Sequence, residues 1–272
     1  MRLHTTTDPT AITALVEPLL AADPVRNTVF SSIIAGLAGP DADGWCAHPV
    51  DDPGVLAARS QQHTPITVTT GWREPEPLAE AIAAQSPTAL GGPVAVVEML
   101  AAALDAHGLP TASRMDERLF RLDELTEPAA VAGTARLAEA GDRVLLVDWY
   151  GAFAREVFGG DLPPGFDAEK FLERAMQRSR FWLWIDSTGR TAAMAGRHPV
   201  AFGVARVGPV YTPPDVRGRG HGSAVTAVAT RDVLDDGAVA VLYTDLANPT
   251  SNKIYQQLGY YPVEDRARLA FS

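Results

Sequence analysis

The sequence predicts an α/β fold of the α+β kind, a mixed and mainly antiparallel sheet flanked by helices. Three observations predict it. Segments with apolar residues three and four apart alternate with short apolar runs bounded by Gly, Pro and Asp. Two such runs, 181–185 and 191–195, are joined by the turn signal Ser187-Thr188-Gly189, which predicts antiparallel neighbours. Near the C-terminus a strand, a glycine-rich loop, a helix, a strand and a second helix follow one another. That order demands a crossover connection, hence one parallel pair at the end of the sheet.

Taken in order, residues 8–22 place Ile12, Leu15, Val16, Leu19 and Leu20 on one helical face, with Pro18 expected to kink or end the helix. Strands are predicted at 44–50, 55–58 and 66–70, and helices at 78–85 and 93–107, the second entered through Gly91-Gly92-Pro93. Residues 118–122 (RLFRL) read as a strand, and 123–130 as a linker of Asp, Glu, Thr and Pro. A domain boundary is therefore placed there, dividing the chain into 1–125 and 126–272. Beyond it, helices are predicted at 132–140, 143–158 and 171–178. Strands follow at 181–185, 191–195 and 201–212, then a helix at 223–234, a strand at 239–244, a loop at 245–248 and a helix at 249–258.

A chain of 272 residues suits two modest domains, and 46% hydrophobic with 21% charged residues is ordinary for a soluble globular protein. No apolar run approaches the roughly 18 residues of a membrane span. Asp8 and Glu17 interrupt any signal-like start, so a cytoplasmic location is expected and no membrane partner. Cys46 is the only cysteine, which excludes an intrachain disulfide, and the six histidines lack HExxH-type spacing; no metal is expected. A net charge of -10 argues against a nucleic-acid partner.

Against that negative background, Arg217-Gly218-Arg219-Gly220-His221-Gly222 stands out as a local basic cluster. A strand that delivers a glycine-rich turn to a helix start aims backbone N–H groups and the positive end of the helix dipole at one point, where an anion binds. Three glycines allow close approach, and Arg217, Arg219 and His221 supply charge suited to a pyrophosphate. The bland alternative is a solvated, flexible surface loop. The dinucleotide fingerprint GxGxxG is a near miss, with Ser223 where its third glycine belongs, although Asp245 follows a strand as a ribose-binding acid would. A P-loop needs GK[ST] and a nucleophile elbow GxSxG, and neither is present.

At this point the residues resemble the GNAT superfamily of acyl-CoA N-acyltransferases, whose first motif has the form [QR]xxGx[GA]. Arg217, Gly220 and Gly222 fit it. The stretch Val207-Gly208-Pro209-Val210-Tyr211-Thr212 is similar to the family's fourth strand, which splays from the fifth, and prolines suit a strand that is not fully paired. The resemblance implies that main-chain groups of Val210 and Thr212 line the pantetheine arm, with the Val210 N–H near the thioester carbonyl. It implies too that Arg217, Gly218, Arg219, Gly220, His221, Gly222 and Ser223 cradle the pyrophosphate of acetyl-CoA.

The run Leu242 to Tyr260 is similar to the family's second motif, an asparagine before a helix ending in YxxxG[FY]. Independently, Asn248 suits an N-cap, Pro249 a first helical residue and Gly259 a stop. At about 100° per residue, Asn252 and Tyr255 fall within about 40° of Asn248. By resemblance Asn248 and Asn252 contact the cofactor, and Tyr255 lies near the sulfur and protonates the leaving thiolate. On the bland reading the two asparagines are a cap and a helix-surface group, and Tyr255 a partly buried aromatic.

The expected activity is direct transfer of an acetyl group from acetyl-CoA to an amine of a small molecule or protein. The alternatives are a non-catalytic acyl-CoA sensor or assembly module and, further off, a dinucleotide-binding oxidoreductase. No base can be named; Asp148, Glu173 and Asp186 are available carboxylates. Residues 89–93 leading to a long helix and the strand at 118–122 resemble a degenerate GNAT half, with an unrelated accessory domain as the alternative. The resemblance implies a tandem arrangement, with a monomer or homodimer as the assembly.

Overall fold

The computed structural model describes residues 1–39, 42–157, 160 and 167–272. The chain forms two compact units, Met1–Leu119 with Val263–Ser272, and Phe120–Pro262. The division thus falls after Leu119, upstream of the boundary placed after residue 125. The C-terminal residues belong with the first unit because they pair antiparallel with its strand Ala89–Pro93, from Arg266 opposite Pro93 to Ala270 opposite Ala89.

The first unit runs β1 (Leu3–Thr6), α1 (Pro9–Ala22), α2 (Thr28–Leu37), β2 (Trp45–Pro49), β3 (Ala57–Arg59), β4 (Ile66–Val68), α3 (Pro75–Ala83), β5 (Ala89–Pro93), α4 (Val94–Ala106) and β6 (Thr111–Leu122), the last passing into the second unit at Phe120. Strands β1 to β4 pair antiparallel in sequence, and β4 pairs parallel with β5. Alternate strand residues face opposite sides. Cys46 and Ala58 therefore pack with Ile12, Val16 and Leu20 of α1 and Phe30 and Ile33 of α2. Trp45, Ala47 and Ala57 pack instead with Leu78 and Ile82 of α3 and Val97, Leu100 and Leu104 of α4. Helices cover both faces.

The second unit repeats that order: β7 (Gly133–Leu137), α5 (Arg143–Val157), α6 (Ala168–Arg178), β8 (Arg180–Asp186), β9 (Thr191–Arg197), β10 (Val204–Tyr211), α7 (His221–Asp235), β11 (Val239–Asp245), α8 (Pro249–Gln257) and β12 (Tyr260–Phe271), which passes into the first unit at Val263. The pairings repeat as well. β7 to β10 are antiparallel in sequence and β10 pairs parallel with β11, as the crossover argument required. Phe181, Leu183 and Met194 face Leu146, Trp149, Tyr150 and Leu172 on one side. Trp184, Ala193 and Ala195 face Ala224, Val225 and Val233 of α7 on the other. The fold is mixed α/β with mostly antiparallel pairing and eight α-helices among the described residues.

Some local expectations are corrected. Residues 132–140, read as a helix, contain β7, because Gly133 to Leu137 pair with Asp186 to Trp182; cross-strand pairing outweighs the helix propensity of Ala, Arg and Leu. Helix α1 continues through Pro18 to Ala22, its buried face of Ile12, Val16 and Leu20 holding it in place. Pro93, read as a first-turn residue of the next helix, is both the last residue of β5 and the N-cap of α4. Phe158, the expected last residue of the helix from 143, lies outside the described residues.

Candidate functional site

The site begins where two strands part. The parallel ladder joins Val204, Ala205 and Arg206 of β10 to Val239, Ala240 and Val241 of β11 and stops there. Strand β10 continues to Tyr211 and β11 to Asp245. Over that stretch β10 pairs with β9, with Val210 opposite Ala195 and Tyr211 opposite Met194, after a register shift between Val207 and Val210. A cleft therefore opens between β10 and β11, on the segment where sequence placed an incompletely paired strand.

Beyond Tyr211 the chain makes a single 3-10 turn, Pro214–Val216, and then the loop ending at α7. Gly220 is the N-cap with φ of 83°, a conformation that disfavours a side chain, and a Cβ there would sit 2.8 Å from Val131 Cγ2. A Cβ on Gly222 would lie 3.2 Å from Thr212 Oγ1, so the loop packs against the end of the strand. No side chain among the described residues caps α7. The N–H groups of its first turn, at His221, Gly222 and Ser223, have no acceptor within the helix, and the helix dipole adds positive potential there.

The loop's charged side chains take different directions. Arg217 Nε donates to the Thr212 carbonyl at 2.8 Å, Nη2 donates to Glu156 Oε1 at 2.6 Å, and the guanidinium lies 5.8 Å from the centre of the Tyr211 ring. Among the described residues Arg219 makes only a long contact of 3.5 Å to the Asp215 carbonyl. The Asp215 carboxylate is held by Arg190 at 2.7 Å. His221 is 6% exposed, and neither ring nitrogen has a hydrogen-bond partner among the described residues. Buried imidazole nitrogens are normally partnered.

The second motif folds as its caps predict. Asn248 Oδ1 accepts from the Ser251 N–H at 3.0 Å. Asn252 Nδ2 donates to the carbonyls of Asp245 (2.9 Å) and Asn248 (2.8 Å), while its Oδ1 is buried without a partner. Both amides thus hold the turn between β11 and α8. Tyr255 belongs to the cluster of buried residues against which Val210 packs. Burial pushes its phenol up to about 12, opposed by a hydrogen bond with Ser251. Its ring meets Tyr260 edge-on at 6.3 Å. The Tyr260 hydroxyl is hydrogen-bonded to Thr230 at 2.7 Å, and burial raises its pKa as well.

Two neighbours escaped sequence reasoning. Glu156 partners Arg217 across 61 positions, a pairing that no local spacing announces. Tyr211, packed 5.9 Å from Trp149, has its pKa raised first by burial and then by Glu156.

The first unit differs at the equivalent places. Its β4-to-α3 loop, residues 69–74, is Thr-Thr-Gly-Trp-Arg-Glu, and Glu74 and Glu76 occupy the N-cap and first turn of α3. Carboxylates there already complement the dipole and repel an anion. β4 and β5 also stay close past the end of their ladder, since a Cβ on Gly92 would lie 2.4 Å from Val68 Cγ2 and 2.9 Å from the Val68 carbonyl oxygen.

The family model described as FR47-like protein matches residues 187–269, which include β9, β10, the glycine loop and α8. The GCN5-related N-acetyltransferase from Sphaerobacter thermophilus superposes with a TM-score of 0.65 at 14% identity, over 98% of this chain and 94% of its own. A tandem GNAT protein from the clavulanic acid biosynthesis pathway superposes at 0.60 and 14% identity, over 99% and 98% of the two chains. The chain has the GNAT fold in two halves. A GNAT-family acetyltransferase from Colwellia psychrerythraea matches all of both chains at a TM-score of 0.61 and 12% identity. The comparison with curated proteins gives no match. Within this GNAT fold, β10, α7, β11 and α8 form the half with an open cleft, and no group of three or more His, Cys, Asp or Glu among the described residues is arranged to hold a metal.

Proposed function

We propose that the protein is an acetyltransferase that moves an acetyl group from acetyl-CoA to an amine of a small molecule or protein, and that Phe120–Pro262 is its working unit. The reading rests on the parting of β10 from β11 beyond Arg206 and Val241, leading to an uncapped helix start with a glycine turn. In it, the main chain at Val210 and Thr212 lines the pantetheine arm. The first-turn N–H groups of His221, Gly222 and Ser223, with Gly218, Gly220 and the Arg217 and Arg219 charges, hold the pyrophosphate. The buried, unpartnered His221 imidazole adds a polar group to that cradle. Asn248 and Asn252 contribute by fixing the turn that carries α8.

Acetyl-CoA supplies an activated thioester carbonyl. The Val210 N–H is a donor for the oxygen on which negative charge develops, and the protonated phenol of Tyr255 can deliver a proton to a leaving thiolate. A phenol held neutral by burial suits that role. The first half, with Glu74 and Glu76 at its helix start and its strands closed at Gly92, does not bind the cofactor.

The test is release of free thiol from acetyl-CoA across a set of primary amines. The wild type releases thiol, and Tyr255→Phe loses about 100-fold or more in kcat at unchanged acetyl-CoA affinity. Binding of acetyl-CoA with no turnover on any amine would instead support the non-catalytic acyl-CoA-binding module.

A further inference from the structure

We propose that His4 and His48 bind a late first-row divalent metal ion between them, zinc and copper being the fitting cations, and that the ion clips the edge strand β1 to β2. Both residues lie in the unit Met1–Leu119, to which the acetyltransferase reading assigns no ligand. His4 is directly opposite His48 in the β1–β2 ladder, and β1 is the end strand of the sheet. Residues so opposed project from the same face, with Cβ atoms about 4.5–5.5 Å apart. Here the ring centres are 5.2 Å apart and the ring planes are tilted by 51°. Two imidazoles that share one tetrahedral ion, each through a nitrogen about 2.0–2.1 Å from it, have ring centres about 5 Å apart. The strand register therefore already sets the spacing.

The hydrogen bonding of His48 supports the same use. Its Nδ1 lies 2.8 Å from the Pro49 carbonyl oxygen. A carbonyl oxygen can only accept, so Nδ1 carries the proton and Nε2 of the neutral ring keeps its lone pair. Ligating imidazoles are held in this way, with one N–H fixed on a carbonyl while the other nitrogen meets the ion. His48 is buried, so its ring is fixed by packing. His4 is exposed, and neither of its ring nitrogens has a hydrogen-bond partner among the described residues, which leaves it able to close onto the ion.

Cys46, two residues before His48 and on the same face, does not join the site. It packs with Ile12 and Val16, and burial pushes its thiol up to about 12, far from the thiolate a metal requires. Two protein ligands with water completing the shell make an exchangeable clip, unlike the four-ligand site of a structural zinc. Imidazole suits zinc, nickel and copper, whereas magnesium and calcium seek oxygen ligands. The net charge of -10 favours a cation as well. His107 and Glu76, 3.3 Å apart, form a second pair with one imidazole only, and serve as the control.

The test is calorimetric titration of zinc, copper and magnesium chlorides into the untagged full chain stripped of metal, using wild type, His4→Ala, His48→Gln and His107→Ala. Wild type and His107→Ala should bind zinc within twofold of each other and copper more tightly. His4→Ala and His48→Gln should bind zinc at least tenfold more weakly, and magnesium should not compete. If His48→Gln does not fold, the exposed position of His4 lets His4→Ala carry the comparison. One equivalent of copper should show the electron paramagnetic resonance couplings of two imidazole nitrogens in wild type and of one in His4→Ala. Zinc should slow amide hydrogen exchange in β1 of wild type and leave His4→Ala unchanged. No zinc binding by wild type, equal binding by His4→Ala, or an equal loss in His107→Ala would overturn the site; zinc binding without slower exchange in β1 would overturn the clip.

Discussion

Arg217, the first residue of the glycine loop, donates to Glu156 in the last turn of α5 across 2.6 Å. Both side chains are about half exposed, so the pair contributes little to stability. Its consequence is for the proposed ligand: Glu156 occupies a cation that a bound pyrophosphate would use. Glu156→Gln should therefore tighten coenzyme A binding by about two- to fivefold at low salt, an effect that shrinks as salt screens it. Arg217→Ala should weaken binding by about tenfold. Titration calorimetry at two salt concentrations checks both; a weaker Glu156→Gln complex would mean that Glu156 supports the loop.

The buried phenol of Tyr255 leads to a prediction in pH. Its folded value of about 12 lies above the ordinary value of 10, so the neutral form prevails through pH 10. The stability this confers is complete below pH 10 and is lost as pH rises towards 12. The kcat profile of wild type should show no alkaline fall from this group below pH 10, while Tyr255→Phe lowers kcat without moving the profile. In urea melts above pH 10 the variant should lose stability less steeply, by at most about 1.4 kcal/mol per pH unit. A basic limb near pH 8 that disappears in Tyr255→Phe would contradict this.

Closure of the first half at Gly92 can be tested by a single methyl group. Gly92→Ala forces a Cβ against both Val68 Cγ2 and the Val68 carbonyl, and the backbone atom cannot swing away. Overpacking of this kind costs about 1–3 kcal/mol. Chemical denaturation should register that loss while coenzyme A affinity stays unchanged, because the cofactor is assigned to the other half. A neutral Gly92→Ala would show that β4 and β5 have room to part.

Asp232, near the end of α7, is a buried carboxylate shared by two arginines, of which Arg180 is half exposed and Arg197 buried. It pairs with Arg180 at 2.5 Å and with Arg197 Nε at 3.5 Å, and receives a hydrogen bond from Trp182 Nε1 at 3.4 Å. Arg197 is only 5% exposed and keeps Asp236 as a second partner. Asp232→Ala should cost on the order of 2–3 kcal/mol, less than a wholly orphaned buried arginine. Thermal melts check this, and a Tm within a degree or two of wild type would contradict it.

The sequence was most legible where local chemistry and tertiary structure agree. Asn248, Pro249 and Gly259 bound α8 by capping rules alone, and the strand, loop and helix around Arg217 to Gly222 followed from glycine and apolar spacing. It was least legible where partners lie far away. Gly133 to Leu137 is a strand because β8 lies beside it, and β12 carries apolar residues whose partners are in β5, 170 or more positions earlier. The repeat of ten elements is nearly invisible because the two loops at equivalent places differ in every functional residue, Thr69 to Glu74 in one and Arg217 to Gly222 in the other.

The stoichiometry of acetyl-CoA binding tests the account most directly. Titration calorimetry on the full chain should give one site per chain, and Gly220→Val, which cannot adopt the φ of 83° and meets Val131, should abolish it while the protein remains folded by circular dichroism. Two sites per chain, no binding by wild type, or undiminished binding by Gly220→Val would contradict the assignment of a single cofactor cradle to the loop between β10 and α7.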